Sequence, residues 1–264
     1  MTSLTHSSLG KTLLGLALAS AFGAASAQQP AFTFNPAAVG LSGSSFSADN
    51  ILISDFATVR NTGGGTFSET GYLAISGFQL GGTTQAPTGL NSSYGLYIAF
   101  TGTGTQSPGN PVLVPTFGTF TTLNFTLYGY NGSASFGFDG FNNPTESASG
   151  EVALATGSLI NGSVVSLPTG TGSFTPSANA QLSFNVLPSA SGFFSAPSSF
   201  YQQAFAAFTN SPNQVTPIQG GFRIAQGGGA INFIATQVPE PETYAMMLGG
   251  LMAIGFVARR RKAG

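Results

Sequence analysis

The stretch Phe117-Gly-Thr-Phe-Thr-Thr-Leu-Asn-Phe-Thr-Leu-Tyr-Gly-Tyr130 carries the clearest structural signal in the chain. Apolar and polar residues alternate in its second half, and a period of two is typical of a β-strand with one buried face. The apolar face comprises Leu123, Phe125 and Leu127. Asn131-Gly132 follows directly, and this dipeptide favours a type I′ turn. The stretch therefore predicts a strand and a hairpin whose second strand runs over residues 133–139.

Short strands of the same kind, separated by turns rich in Gly, Ser and Asn, recur about every ten residues along the chain. A second pair, Asn161-Gly162, predicts another hairpin. Only residues 199–209 favour a helix, because Ser199 and Gln202 form a capping-box pair and apolar residues follow at helical spacing. We therefore predict an all-β fold, an antiparallel β-sandwich of jelly-roll-like form, with one short helix near 199–209.

The N-terminus has the features of a secretory signal peptide over residues 1–27. Lys11 supplies a positive charge, residues 12–22 are apolar, and Ala25-Ser26-Ala27 is a small-residue cleavage site before Gln28. The alternative is a buried first helix. The sequence thus predicts export and a mature β-rich extracellular domain over residues 28–237.

The C-terminus, residues 238–264, has a different composition. Val238-Pro239-Glu240-Pro241 is extended, because two prolines one residue apart fix φ and remove two backbone donors. An apolar run from Ala245 to Val257 follows and predicts a transmembrane helix. At about 15 residues this helix is only roughly 22 Å long, against a hydrocarbon core of ~30 Å, which suits transient insertion. The last residues form a basic stop-transfer cluster of Arg259, Arg260, Arg261 and Lys262.

This order of motif, apolar helix and basic tail resembles the PEP-CTERM sorting signal of Gram-negative surface proteins. The resemblance covers about a tenth of the chain and includes Val238, Pro239, Glu240 and Pro241 as the motif. It implies processing by an exosortase, an integral membrane enzyme, after transient insertion in the inner membrane. It further implies that the protein is then released to the cell surface or extracellular matrix. The alternative is an ordinary C-terminal tail anchor.

Composition excludes several classes of function for the mature region. The chain has no cysteine, and its one histidine, His6, lies in the signal peptide. Ser-His-Asp and Cys-His catalysis are therefore excluded, as are metal sites with His or Cys ligands. Residues 28–237 contain six acidic residues and two arginines, so no basic patch is present and nucleic acid is not an expected partner.

Carboxylates leave two kinds of chemistry open. Asp139, Asn142, Asn143 and Glu146 place four oxygen ligands within eight residues, a spacing that could hold Ca²⁺; the alternative is an ordinary polar loop. A second set could supply a carboxylate pair for glycoside hydrolysis, although solubility charges at strand ends are the simpler interpretation. That set comprises Asp55, Glu69 and Glu151. We expect no enzymatic activity and no cofactor other than, as the alternative, calcium.

Tyrosines offer a further possibility, sugar binding. Four of them lie in predicted strands and could stack on sugar rings, but tyrosine in strands is more often half-buried packing. They are Tyr94, Tyr97, Tyr128 and Tyr130.

A second resemblance concerns short motifs at Ala48–Ile51, Gly65–Phe67 and Gly89–Tyr97. They are similar to a PEP-CTERM subgroup associated with flocculation, which implies a non-catalytic protein that promotes cell aggregation and biofilm formation. Its expected partners are exopolysaccharide and further copies of itself. The alternative function is a carbohydrate-binding module, which could depend on calcium.

Overall fold

The computed structural model describes residues 29–85, 87 and 89–235. These residues form β-strands and short 3₁₀ helices, and none of them lies in an α-helix. In chain order the strands are β1 (Phe32–Phe34), β2 (Phe46–Ala48), β3 (Asn50–Gly63), β4 (Thr66–Leu80), β5 (Thr83–Gln85), β6 (Tyr94–Gln106), β7 (Thr116–Asn131), β8 (Phe136–Phe138), β9 (Pro144–Glu146), β10 (Val152–Pro168), β11 (Phe174–Ser183), β12 (Asn185–Val186), β13 (Phe194–Ala196), β14 (Gln203–Thr209), β15 (Val215–Ile218) and β16 (Gly221–Ile234). The 3₁₀ helices span Pro36–Val39, Pro188–Ala190 and Pro212–Gln214.

Eight strands form one closed antiparallel sheet, in the order β3, β4, β6, β7, β10, β11, β14 and β16, with β16 pairing back to β3. The prediction of an antiparallel all-β fold is confirmed, but the prediction of a two-sheet sandwich or jelly roll is wrong. The sheet is barrel-like because each of its long strands has a partner on both sides. Register shifts between neighbouring strands mark bulges, for example at Ser76 in β4, Thr121 in β7 and Gln226 in β16. Bulges increase local bending and help a sheet to close.

The predicted helix near 199–209 is also wrong, since Gln203–Thr209 is strand β14. β14 pairs with β11 on one side and β16 on the other. Its burial alternates, with Ala204 and Ala206 buried and Phe205 exposed. The apolar residues of this segment fit the period of a helix as well as that of a strand. The segment forms a strand because the edges of β11 and β16 both pair with it.

Neither Asn-Gly pair forms the predicted hairpin. Asn131-Gly132 does turn the chain, with Gly132 at φ +84°, but β8 pairs with β9 because both sides of β7 are occupied by β6 and β10. Asn161-Gly162 lies inside the continuous strand β10. There a Cβ on Gly162 would lie 2.8 Å from the Asn179 carbonyl oxygen, so glycine permits close approach of two strands rather than a turn.

A small sheet of β13, β1 and β2 lies at the end of the barrel where β3 begins and β16 finishes. Phenylalanine rings fill this end, and the ring centroid of Phe34 lies 4.7 Å from those of Phe32 and Phe193. We call it the packed end; its buried rings are Phe32, Phe34, Phe78, Phe193, Phe194 and Phe233. The opposite end, which we call the loop end, carries the connections 63–65, 107–115, 169–173 and 210–220.

No helix among the described residues is long and apolar enough to cross a membrane. The predicted signal peptide and the predicted transmembrane helix both lie outside the described residues. The division of the chain at residues 27 and 238 therefore stays a prediction.

Candidate functional site

A cavity of about 90 Å³ lies inside the closed sheet. Its walls are mostly apolar, with side chains such as Leu73, Ile98 and Phe125. A few polar groups share this space, and most of them lie near the loop end. The polar lining residues are Asp55, Glu69, Gln106, Ser166, Ser177 and Asn210.

Asp55 lies inside the barrel because of its position in β3. Odd-numbered residues of this strand, such as Ile53 and Ala57, face the interior, and Asp55 between them is 2% exposed. Its Oδ1 atom has no hydrogen-bond partner among the described residues. Burial raises the pKa of Asp55 well above its ordinary value, and the neighbouring charge of Glu69 raises it further.

Glu69 reaches the same cavity from β4, where Phe67 and Leu73 face inward on either side of it. It pairs across the ladder with Val59 and is half-buried. Burial raises the pKa of Glu69 from 4.5 to about 7. The interpretation of both acids as solubility charges is wrong for Asp55 and Glu69, which share one apolar cavity.

Asn210 supplies a second buried acceptor beside Asp55. It is 3% exposed, its Nδ2 donates to the Pro176 carbonyl at 3.2 Å, and its Oδ1 has no partner among the described residues. Gly227 lies opposite Asp55 in the ladder, and a Cβ there would lie 2.1 Å from Asn210 Oδ1. Glycine at 227 therefore leaves the space that the amide oxygen fills, next to the strand position of Asp55. Sequence reasoning missed Asn210, because nothing in the spacing places a residue after β14 inside the barrel.

Glu151, the third acid considered for glycoside hydrolysis, lies elsewhere. It accepts a hydrogen bond at 3.2 Å from the hydroxyl of Tyr97, on the opposite face of the sheet. Burial raises the pKa of Tyr97, and the charges of Glu146 and Glu151 raise it further, so this hydroxyl stays protonated as a donor. Only two of the three acids are thus brought together.

Tyr97, Tyr128 and Tyr130 form an aromatic cluster on the outer face of the sheet, whereas Tyr94 belongs to the buried core. The rings of Tyr97 and Tyr128 stack at 5.2 Å, and Phe136 from the β8–β9 hairpin covers Tyr97 at 5.6 Å. Tyr94, Tyr97 and Tyr130 are buried. The packing interpretation is confirmed, and these three rings cannot stack on a sugar without first being uncovered.

The predicted calcium loop is an Asx-type turn that its own donors stabilise. Asp139 Oδ1 accepts from the backbone N–H of Phe141 and of Asn143, each at 2.8 Å, and Oδ2 accepts from Asn143 Nδ2 at 2.9 Å. These hydrogen bonds with Asn143 and Phe141, aided by the charge of Arg60, lower the pKa of Asp139.

Two arginines fasten this loop to the outer face of the barrel. Arg60 donates to the Phe141 carbonyl at 3.0 Å, and Arg223 donates to Asn142 Oδ1 at 3.1 Å. The Arg223 guanidinium also lies 5.1 Å from the centroid of the Phe138 ring.

The loop geometry gives Asp139, Asn142 and Asn143 a structural role. Calcium binding there, including Glu146, stays a prediction. No group of three or more Asp, Glu or His residues suited to a metal occurs in the described part of the chain.

Five adjacent strands, β6, β7, β10, β11 and β14, contain no Asp, Glu, Lys or Arg. We call their outer face the charge-free wall. Its exposed hydroxyls and amides form cross-strand pairs, with Thr103 Oγ1 2.7 Å from Thr122 Oγ1 and Gln181 Nε2 donating to Gln203 Oε1 at 2.8 Å. Asn161 Nδ2 extends the row by donating to Gln181 Oε1 at 2.9 Å. Charged residues of the barrel itself are confined to β3, β4 and β16.

The family described as the PEP-CTERM protein-sorting motif matches residues 237–262. The chain carries an exosortase sorting signal. This PEP-CTERM motif indicates export, membrane-associated sorting and processing by an exosortase. No curated protein and no solved structure matches the chain.

The PEP-CTERM motif lies outside the described residues, but the barrel shows where the chain leaves for it. β16 ends at Ile234, three residues before the matched segment begins, and Ile234 lies at the packed end. Residue-level roles in the signal stay predictions, both for the motif at 238–241 and the basic cluster at 259–262. The same holds for the signal peptidase site at Ala25, Ala27 and Gln28.

Proposed function

We propose that the protein is a non-catalytic component of the extracellular matrix that holds cells in aggregates by contacting exopolysaccharide through the charge-free wall. The observation that carries this proposal is the run of five adjacent strands without a charged residue. Hydroxyl and amide groups on this wall suit many weak hydrogen bonds with polysaccharide, each contributing about 0.5–1.5 kcal/mol. Binding on the part of the wall away from the Tyr97–Glu151 contact would desolvate no charge, so each contact there would carry a small penalty.

The place where the chain leaves the barrel supports the same role, because it lies at one end of the barrel and not on the charge-free wall. An exosortase acts on the C-terminal signal, and the chain leaves for that signal from the packed end. The charge-free wall lies along the side of the barrel between the two ends, away from the point where the chain leaves. Exposed apolar side chains near the loop end, Leu113 at 74% and Phe117 at 61%, add surface for association of copies.

Deletion of the protein in its host tests the cellular role. Cell settling and polysaccharide output are measured together. Lost aggregation with unchanged polysaccharide supports a physical linking role, normal aggregation refutes the proposal, and lost polysaccharide assigns the protein to biosynthesis or export instead.

A charge placed on the wall tests the surface itself. Thr121→Lys in β7 puts a cation on the charge-free wall, and Ser76→Lys in β4 puts the same cation on an exposed position elsewhere in the barrel. We expect protein purified from the host to lose retention on the host's polysaccharide in the first variant and to keep it in the second. Equal retention by both variants and the unmodified protein would remove the wall from the mechanism.

A further inference from the structure

The unpartnered polar atoms on the cavity wall indicate which kind of ligand the cavity could bind. Two buried atoms on its wall, Asp55 Oδ1 and Asn210 Oδ1, have no partner among the described residues; the amide oxygen is a hydrogen-bond acceptor, and the carboxyl oxygen is one when Asp55 is ionised. The amide orientation of Asn210 follows from its other contact, because the Pro176 carbonyl can only accept and must face Nδ2. The complement of this wall is therefore a hydrogen-bond donor.

Charge and size narrow the class of donor. Asp55 and Glu69 reach the cavity from adjacent strands, four ladder positions apart, and the charge of Glu69 acts on Asp55 across this space, so a cation placed there would relieve both their repulsion and their desolvation. The remaining walls are aliphatic and aromatic, which suits an alkyl body and disfavours a strongly hydrated metal ion. A volume of about 90 Å³ is smaller than the roughly 150 Å³ that accommodates benzene, so the ligand has about four or five non-hydrogen atoms.

We propose that the barrel interior binds a small primary alkylammonium ion, with its ammonium group between Asp55 and Glu69, near Asn210 Oδ1, and its alkyl chain against the apolar wall. This site is separate from the charge-free wall and does not depend on the matrix role. Buried acids without partners destabilise the fold, and a bound cation converts them into a paired, hydrogen-bonded group.

The test uses the exported protein purified from its host, with n-propylammonium chloride as probe. At pH 8, where Glu69 is ionised, we expect saturating propylammonium to raise Tm by about 2–4 °C. Two controls accompany it: n-propanol, which matches the probe in size but carries no charge, and sodium chloride at equal ionic strength. Equal increases with propylammonium and with either control would overturn the proposal.

Two further measurements locate the site. The double variant Asp55→Asn with Glu69→Gln should abolish the response to propylammonium while leaving the response to propanol unchanged. Independently of that variant, NMR titration of the unmodified protein follows the Glu69 carboxyl carbon, whose pKa should fall when the probe binds. A Tm increase that persists in the double variant, or a Glu69 titration that the probe does not move, would overturn the proposal.

Discussion

The packed end and the loop end of the barrel are built from the same eight strands, but their side chains fill the interior differently. At the packed end, rings meet at centroid distances such as 4.7 Å between Phe34 and Phe193, and the buried carboxylate of Asp49 accepts a hydrogen bond from the Gly81 N–H at 2.6 Å. Toward the loop end, the interior holds a cavity, and the buried carboxylate of Asp55 has an oxygen without a partner among the described residues.

The two aspartates are six residues apart in the sequence and nearly equally buried, at 4% and 2% exposure. Their difference shows that burial alone does not determine whether an acid stabilises a fold; the partner does. Interiors that are close-packed and paired contribute stability, whereas an interior with space and unpaired acceptors gives up stability and gains the capacity to bind. Each of the following substitutions and pH changes tests this difference between the two ends.

Phe34→Ala at the packed end should have the largest effect. Phe34 is fully buried among aromatic neighbours, so we expect the free energy of unfolding to fall by about 3–5 kcal/mol. Urea denaturation measures the change. Phe117→Ala, which removes a ring that is 61% exposed, is the matched control and should alter stability by no more than about 0.5 kcal/mol. Similar losses in both variants would contradict the assignment of the packed end as the stabilising core.

Stability should depend on pH through the cavity acids. The pKa of Glu69 is raised from 4.5 to about 7, so the folded state binds more protons than the unfolded state within this window. Stability is therefore highest near pH 4.5 and falls as pH rises to 7, by up to about 3 kcal/mol. The raised pKa of Asp55 acts in the same direction. The lowered pKa of Asp139 acts below its ordinary value of 3.8, outside the window.

Glu69→Gln tests the origin of that pH dependence. Urea midpoints at pH 4.5, 6 and 8 should vary less in this variant than in the unmodified protein, and its midpoint at pH 8 should be higher. An unchanged slope in the variant would assign the pH dependence to other groups.

Gly227→Ala should disturb the loop end at one point. Its Cβ would lie 2.1 Å from Asn210 Oδ1 and 2.7 Å from Ile224 Cγ2, so the amide or the strand must shift, at a cost of about 1–3 kcal/mol. Gly228→Ala is the neighbouring control, because the nearest atom to its Cβ is the Thr209 carbonyl oxygen at 3.6 Å. Thermal unfolding of both variants distinguishes them; equal Tm values would show that Asn210 is not held inside the barrel.

The smallest effects should come from replacing each of the two aspartates by asparagine. Asp49→Asn weakens the hydrogen bond from Gly81, so we expect a loss of about 0.5–1 kcal/mol. Asp55→Asn removes an unpaired buried acid and should leave stability unchanged or raise it. Urea denaturation measures both changes. Changes of opposite sign in the free energy of unfolding would support the difference between the two ends, and equal losses would contradict it.

Much of the secondary structure follows from local pattern, and some of it does not. The alternation at Leu123, Phe125 and Leu127 correctly predicts β7, whose apolar face lies inside the barrel. Residues 199–209 fit both a helix and a strand, and pairing with β11 and β16 selects the strand. The two Asn-Gly pairs differ for the same reason, because one lies where neighbouring strands continue and the other where they end.

The chain's own residues determine its β-rich class, its lack of cysteine and of histidine after His6, and the PEP-CTERM motif at residues 237–262. These features depend on composition and on short contiguous segments, which no folding step can alter. Tertiary structure alone decides that the sheet closes, that Asp139 caps its own loop, and that Asp55, Glu69 and Asn210 share one cavity. Distance along the sequence does not predict those contacts, since strand register and sheet closure bring together residues as far apart as Ile51 and Ile231, 180 positions along the chain.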